Sequence, residues 1–137
     1  MANSTLTTPD SRPLRIALIG AGRHAQHHAR AILRCPGVQL VAVADPSDAA
    51  QAAMRDIVPG IGCFKTPEEL FASERLNVVH IITPPASHAP LARMAIKAGC
   101  HIYVEKPFTE SVEDAQQILD EASAKGLRVC AGHQLLY

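Results

Sequence analysis

Two short stretches carry residues whose types and spacing suit chemistry. The first, "GAGRHA", ends an apolar run and holds Gly20, Gly22, Arg23, His24 and Ala25. The second, "EKP", sets Glu105 and Lys106 directly after the apolar "HIYV". Glycine at the end of a buried run permits a tight turn, and a second glycine lets the backbone approach a ligand closely. Ala25, in the third small-residue place, lets a following helix pack against a sheet. The start of that helix offers free N–H groups and a partial positive charge, which suits phosphate. Arg23 either touches such a phosphate or stays solvated. A charged pair straight after a strand would be costly if buried unpaired, and is reasonable at the rim of a cleft. There Lys106 can donate to a substrate hydroxyl or move a proton. The plainer alternative is a solvated lysine at a strand end.

These residues need elements to position them. Apolar runs of strand length alternate with amphipathic runs of helix length. The strands are expected at Ile16 to Ile19, "QLVAVAD", "CFKT", "NVVHIIT", "HIYVEK" and the start of "RVCAGHQLLY". The first helix should bury Ala25, Ala29, Ile32 and Leu33 and stop near "CPG". The second is "PSDAAQAAMRDIV", with Pro46 suited to its first turn. Thr66, Pro67 and Glu69 form a start signal for the third. A fourth should run from about Ala89 to Ala98 and end at Gly99. Val112, Ala115, Ile118, Leu119 and Ala122 mark a fifth. Repeated strand–helix–strand units require parallel strands and right-handed crossovers. The expected fold is therefore α/β, a doubly wound parallel sheet of order 3-2-1-4-5-6.

In such a sheet ligands lie beyond the carboxyl ends of the strands, beside the first one, where "GAGRHA" falls. Asp45 ends the second strand, about 20 residues further on, where a carboxylate can accept from both hydroxyls of an adenosine ribose. It would repel a 2′-phosphate, so NAD is expected over NADP. The alternative for Asp45 is a helix cap before Pro46.

Other features narrow the function classes. The chain has 137 residues, one domain's worth, and zero formal net charge, so charge gives no argument for nucleic acid or an anionic membrane. The opening "MANSTLTTPDSRP" is polar and lacks a secretory core, so residues 1–13 read as a tail and 14–137 as the domain. No apolar run is long enough to span a bilayer. The four cysteines, Cys35, Cys63, Cys100 and Cys130, form no Cys-x-x-Cys pair. They read as reduced, mostly buried thiols of a cytoplasmic protein. His24, His27 and His28 lack a local carboxylate or cysteine, so no metal site is expected.

Taken in order, "GAGRHA", "ADP", "TPPASHAPLARMAIKAGCHIYVEKPF" and "AGHQLLY" resemble the N-terminal domain of the Gfo/Idh/MocA oxidoreductases. The resemblance covers about residues 14–137. It implies a Rossmann domain of an NAD(P)-dependent dehydrogenase or reductase acting on a sugar, cyclitol or related polyol. It implies that Lys106 lies near the substrate carbon and the nicotinamide, with Glu105 at the nicotinamide end. It also implies that Thr83 and Pro84 line the cofactor, that His88 shapes that wall, and that Gly132 to Gln134 approach the nicotinamide. A cis Lys106–Pro107 bond is implied as well. Family members continue into a second domain that supplies most of the substrate pocket. On this reading the chain is the cofactor half of an enzyme, binding the nicotinamide dinucleotide without turnover by itself. Alternatives are a stand-alone NAD-binding or sensing module, and a small reductase completed by self-association; oligomer formation stays open.

Overall fold

A computed structural model describes residues 12–132 of the chain. Six parallel strands form one sheet in the order β3-β2-β1-β4-β5-β6. They are β1 (Leu14–Ile19), β2 (Val38–Ala44), β3 (Gly62–Phe64), β4 (Val78–Ile81), β5 (His101–Val104) and β6 (Val129–Ala131). The helices are α1 (Arg23–Leu33), α2 (Asp48–Ile57), α3 (Pro67–Ser73), α4 (His88–Lys97) and α5 (Val112–Ala124). A 3-10 turn, Pro85–Ser87, links β4 to α4. The expected strand order is the one found. The near-continuous apolar strands need a helix layer on each face, which the crossover helices supply.

Alternation along the strands sends side chains to two cores. Ala17, Ile19, Ile81, Val104 and their neighbours pack beneath α3, α4 and α5. Ile16, Leu18, Leu40 and Val43 pack beneath α1 and α2. Ala25 and Ala29 are fully buried on α1 and give that helix its close seat. Three helices start on side-chain caps. Ser47 Oγ accepts from Ala50 N at 3.1 Å, Thr66 Oγ1 from Glu69 N at 3.1 Å, and Ser111 Oγ from Asp114 N at 3.0 Å. Each such cap is worth about 1 kcal/mol.

Several residues depart from the sequence expectation. Leu33, Val112 and Leu119 are exposed rather than packed. Leu33 and Leu119 each follow a buried isoleucine, and one residue turns a helix by about 100°. Pro46 precedes the cap of α2 instead of lying in its first turn, because Ser47 is the cap. The thiols are mostly not buried: Cys100 is, Cys63 is half-buried, and Cys35 and Cys130 are exposed. Cys35 follows the end of α1, and Cys130 alternates away from the core face that Val129 contacts. Burial pushes the Cys100 thiol up to about 11. No helix among the described residues is long and apolar enough to cross a membrane.

Candidate functional site

The carboxyl ends of β1, β2, β4 and β5 converge on one edge of the sheet. Gly20 follows β1 with φ +104°. A Cβ there would lie 2.2 Å from the Ile82 carbonyl oxygen, so only glycine lets the turn pass under the end of β4. Gly22 differs. Its φ is −77°, and a Cβ placed on it would meet nothing within 4 Å. Protein packing therefore does not require this glycine, and the space in front of it is open. It caps α1 without a side-chain hydrogen bond, and the first turn of α1 holds no acidic residue. The leading N–H groups of α1 thus face open space with a positive helix end behind them, an arrangement that fits phosphate.

Asp45 is tied to this turn. Its Oδ2 accepts from Ala21 N at 2.8 Å and its Oδ1 from Ser47 N at 2.8 Å. The capping role belongs to Ser47, and Asp45 instead braces the glycine turn against the start of α2. Each carboxylate oxygen keeps acceptor capacity beyond one hydrogen bond. The buried Gln51 amide locks the strand ends from below, donating to the Asp45 and Phe64 carbonyls at 2.8 and 3.0 Å.

A cleft of about 410 Å³ runs past Gly20, Asp45, Pro46, Lys65, Thr83, Pro84, Leu91 and Met94. A second, of about 250 Å³, is lined by Gly22, Arg23, His24, Ala25, Ile82, Thr83 and Pro84. Thr83 and Pro84 belong to both, so the two hollows meet along the end of β4. Arg23 and His24 are exposed at this rim.

His88 is fully buried and joins the two proline-marked turns. Its Nε2 lies 2.7 Å from the Thr83 carbonyl oxygen and its Nδ1 2.8 Å from that of Pro107. The Lys106–Pro107 bond is cis. Ser87 Oγ lies 2.6 Å from Thr83 Oγ1 and secures the same turn. Lys106 is exposed and has no hydrogen-bond or ion-pair partner among the described residues. Gln134 and His133 lie outside the described residues.

Sequence reasoning missed one cluster. His24 Nδ1 and His28 Nε2 lie 3.6 and 3.7 Å from Glu105 Oε2, so β5 brings a carboxylate to the histidines of α1. Behind them His28 Nδ1 is 2.9 Å from His80 Nδ1, and His80 stacks on Tyr103 with ring centroids 5.0 Å apart. His28 is therefore largely covered between α1 and the sheet. Burial lowers its pKa against the opposing pull of Glu105. Burial holds the His80 imidazole down at about 4, with His28 adding to the effect. The signal available in the sequence was the unexplained His80 inside an otherwise apolar strand. Among the described residues no group of three or more His, Cys, Asp or Glu side chains is arranged to hold a metal ion.

A family of oxidoreductases with an NAD-binding Rossmann fold, Gfo/Idh/MocA, matches residues 14–133. The chain belongs to this family. It is 36% identical over 118 residues to an inositol 2-dehydrogenase of Agrobacterium fabrum, covering 85% of this chain and 35% of that protein. It is 32% identical over 117 residues to a D-glucoside 3-dehydrogenase of Escherichia coli, covering 85% and 33%. The structure of GenD2 from gentamicin A biosynthesis, solved in complex with NAD, superposes with a TM-score of 0.83 at 28% identity, covering 92% of this chain and 37% of that one. The chain spans about a third of the length of the relatives it matches.

Proposed function

We propose that the chain binds NAD along the carboxyl edge of its sheet and forms the cofactor-binding part of a dehydrogenase or reductase for a sugar, cyclitol or related polyol. The observation that carries this reading is Gly22, a glycine that no protein contact requires, set before an uncapped helix start. Its amide and those of Arg23 and His24 take the pyrophosphate. Asp45 accepts from the adenosine ribose while bracing Ala21. Thr83 and Pro84, held by His88, form the wall between the two hollows. Glu105 and Lys106 stand at the nicotinamide end, as the family resemblance implies. The cofactor supplies hydride exchange with a substrate carbon. Lys106, exposed and without a partner among the described residues, donates a hydrogen bond to the substrate oxygen and handles its proton. The relatives' names support the substrate class: one acts on inositol and another on a glucoside.

The 137-residue chain is expected to bind NAD without useful turnover. Positioning of reactants is worth roughly 7–11 kcal/mol, and a site with one wall forfeits much of it. NADH absorbance followed with a panel of polyols and sugars, beside calorimetric titration of NAD, checks this. Robust turnover by the parent that vanishes in Lys106→Ala would favour a small reductase completed by self-association. Absence of dinucleotide binding would overturn the proposed function.

Asp45→Ala should weaken NAD by about tenfold, since a hydrogen bond to a charged group is worth about 1.5–3 kcal/mol. The gap between NAD and NADP should narrow. Thermal melting should also fall, because the Ala21 and Ser47 amides lose their acceptor. Parent protein that binds NADP more tightly than NAD would reverse the assignment.

A further inference from the structure

Lys65 leaves the end of β3 and is the one cation among the described residues lining the larger cleft, whose wall also carries Asp45 and Glu68. Its ammonium donates to the Pro46 carbonyl at 3.2 Å, one residue past Asp45. It is also paired with the Asp48 carboxylate on the first turn of α2. This cation, beside the Asp45–Pro46 segment, is therefore already occupied and drawn toward α2.

We infer that the Lys65–Asp48 pair is a second determinant of cofactor choice: Asp48 keeps Lys65 from serving a ribose 2′-phosphate. The inference rests on the dinucleotide reading above and extends it to residues outside the glycine turn and Asp45. A 2′-phosphate beside Asp45 needs a cation to offset its charge. Lys65 is close enough to the Asp45–Pro46 segment to provide one, and Asp48 competes for it. A ribose 2′-hydroxyl is uncharged and makes no such demand. Lys65 and Asp48 thus act on the ratio of the two affinities. The pair is solvent-exposed, with side-chain exposures of 48% and 87%, so its effect is modest and sensitive to salt.

The test is calorimetric titration of NAD and NADP, at low and high salt, with the parent, Asp48→Asn, Lys65→Met and the double variant. Asp48→Asn should raise the NADP-to-NAD affinity ratio by about fivefold, and high salt should shrink that gain. Lys65→Met should lower the ratio, and in the double variant the gain from Asp48→Asn should disappear. Asp48→Ser must reproduce the Asp48→Asn gain, which guards against a local folding effect. If the parent binds NAD but Asp48→Asn leaves the ratio unmoved, the inference fails and the cofactor reading stands. If the gain persists in the double variant, removal of negative charge alone explains it and the role of Lys65 is overturned. If the parent binds neither dinucleotide, both readings fail together.

Discussion

Gly22→Val is expected to melt like the parent chain and to bind NAD about a hundredfold more weakly. A Cβ placed at Gly22 meets no protein atom within 4 Å, so packing around this position should tolerate a substitution. It would instead occupy the space before the first amides of α1. Losing two charge-assisted hydrogen bonds at about 1.5 kcal/mol each corresponds to about two powers of ten in affinity. Gly20→Ala should behave differently. Its φ of +104° disfavours any L side chain, and its Cβ would fall 2.2 Å from the Ile82 carbonyl oxygen. Both stability and binding should collapse, because β1 and β4 can no longer approach at their ends. Thermal melting by circular dichroism and calorimetric titration of the two variants separate these outcomes. Equal loss of stability in both would refute the distinct roles given to the two glycines. Unchanged NAD affinity in Gly22→Val would remove the pyrophosphate site.

Stability should fall by about 3 kcal/mol on acidification from pH 7 to pH 4 through His80 alone. Burial holds its folded pKa near 4, against an ordinary value of 6.5. Above 6.5 the imidazole is neutral in both states and the fold carries no penalty. Between 6.5 and 4 the unfolded chain takes up a proton that the folded chain refuses, so each unit of acidification favours unfolding. Below 4 the loss is complete. His28 adds a loss of the same sign, since burial lowers its pKa as well. Urea unfolding across this range should show a slope that flattens in His80→Val. Parallel curves for parent and variant would show that the acid sensitivity arises elsewhere.

The sequence by itself determined the layered fold and set the candidate cofactor motifs at the ends of its strands. Apolar runs such as "VVHI" and "HIYV" are strands because nearly every residue can be covered, and the caps Thr66 and Ser111 mark helix starts through local hydrogen bonds. The Ser111 cap was found only in the structure, whereas the Thr66 signal is local in the chain and needs no partner to be read. The same holds for "GAGRHA" and Asp45, whose spacing follows from one strand–helix–strand unit. The tertiary structure alone decided the contacts between distant segments. It separated Gly20, required by the Ile82 carbonyl, from Gly22, required by no protein atom. It made Asp45 a brace for Ala21 and moved the cap to Ser47. It brought Glu105 to His24 and His28, set His80 behind them, and turned Lys65 toward Asp48. These pairings join side chains from different strands and helices. Their distances depend on sheet register and helix seating, which residue types and spacing along one chain do not encode.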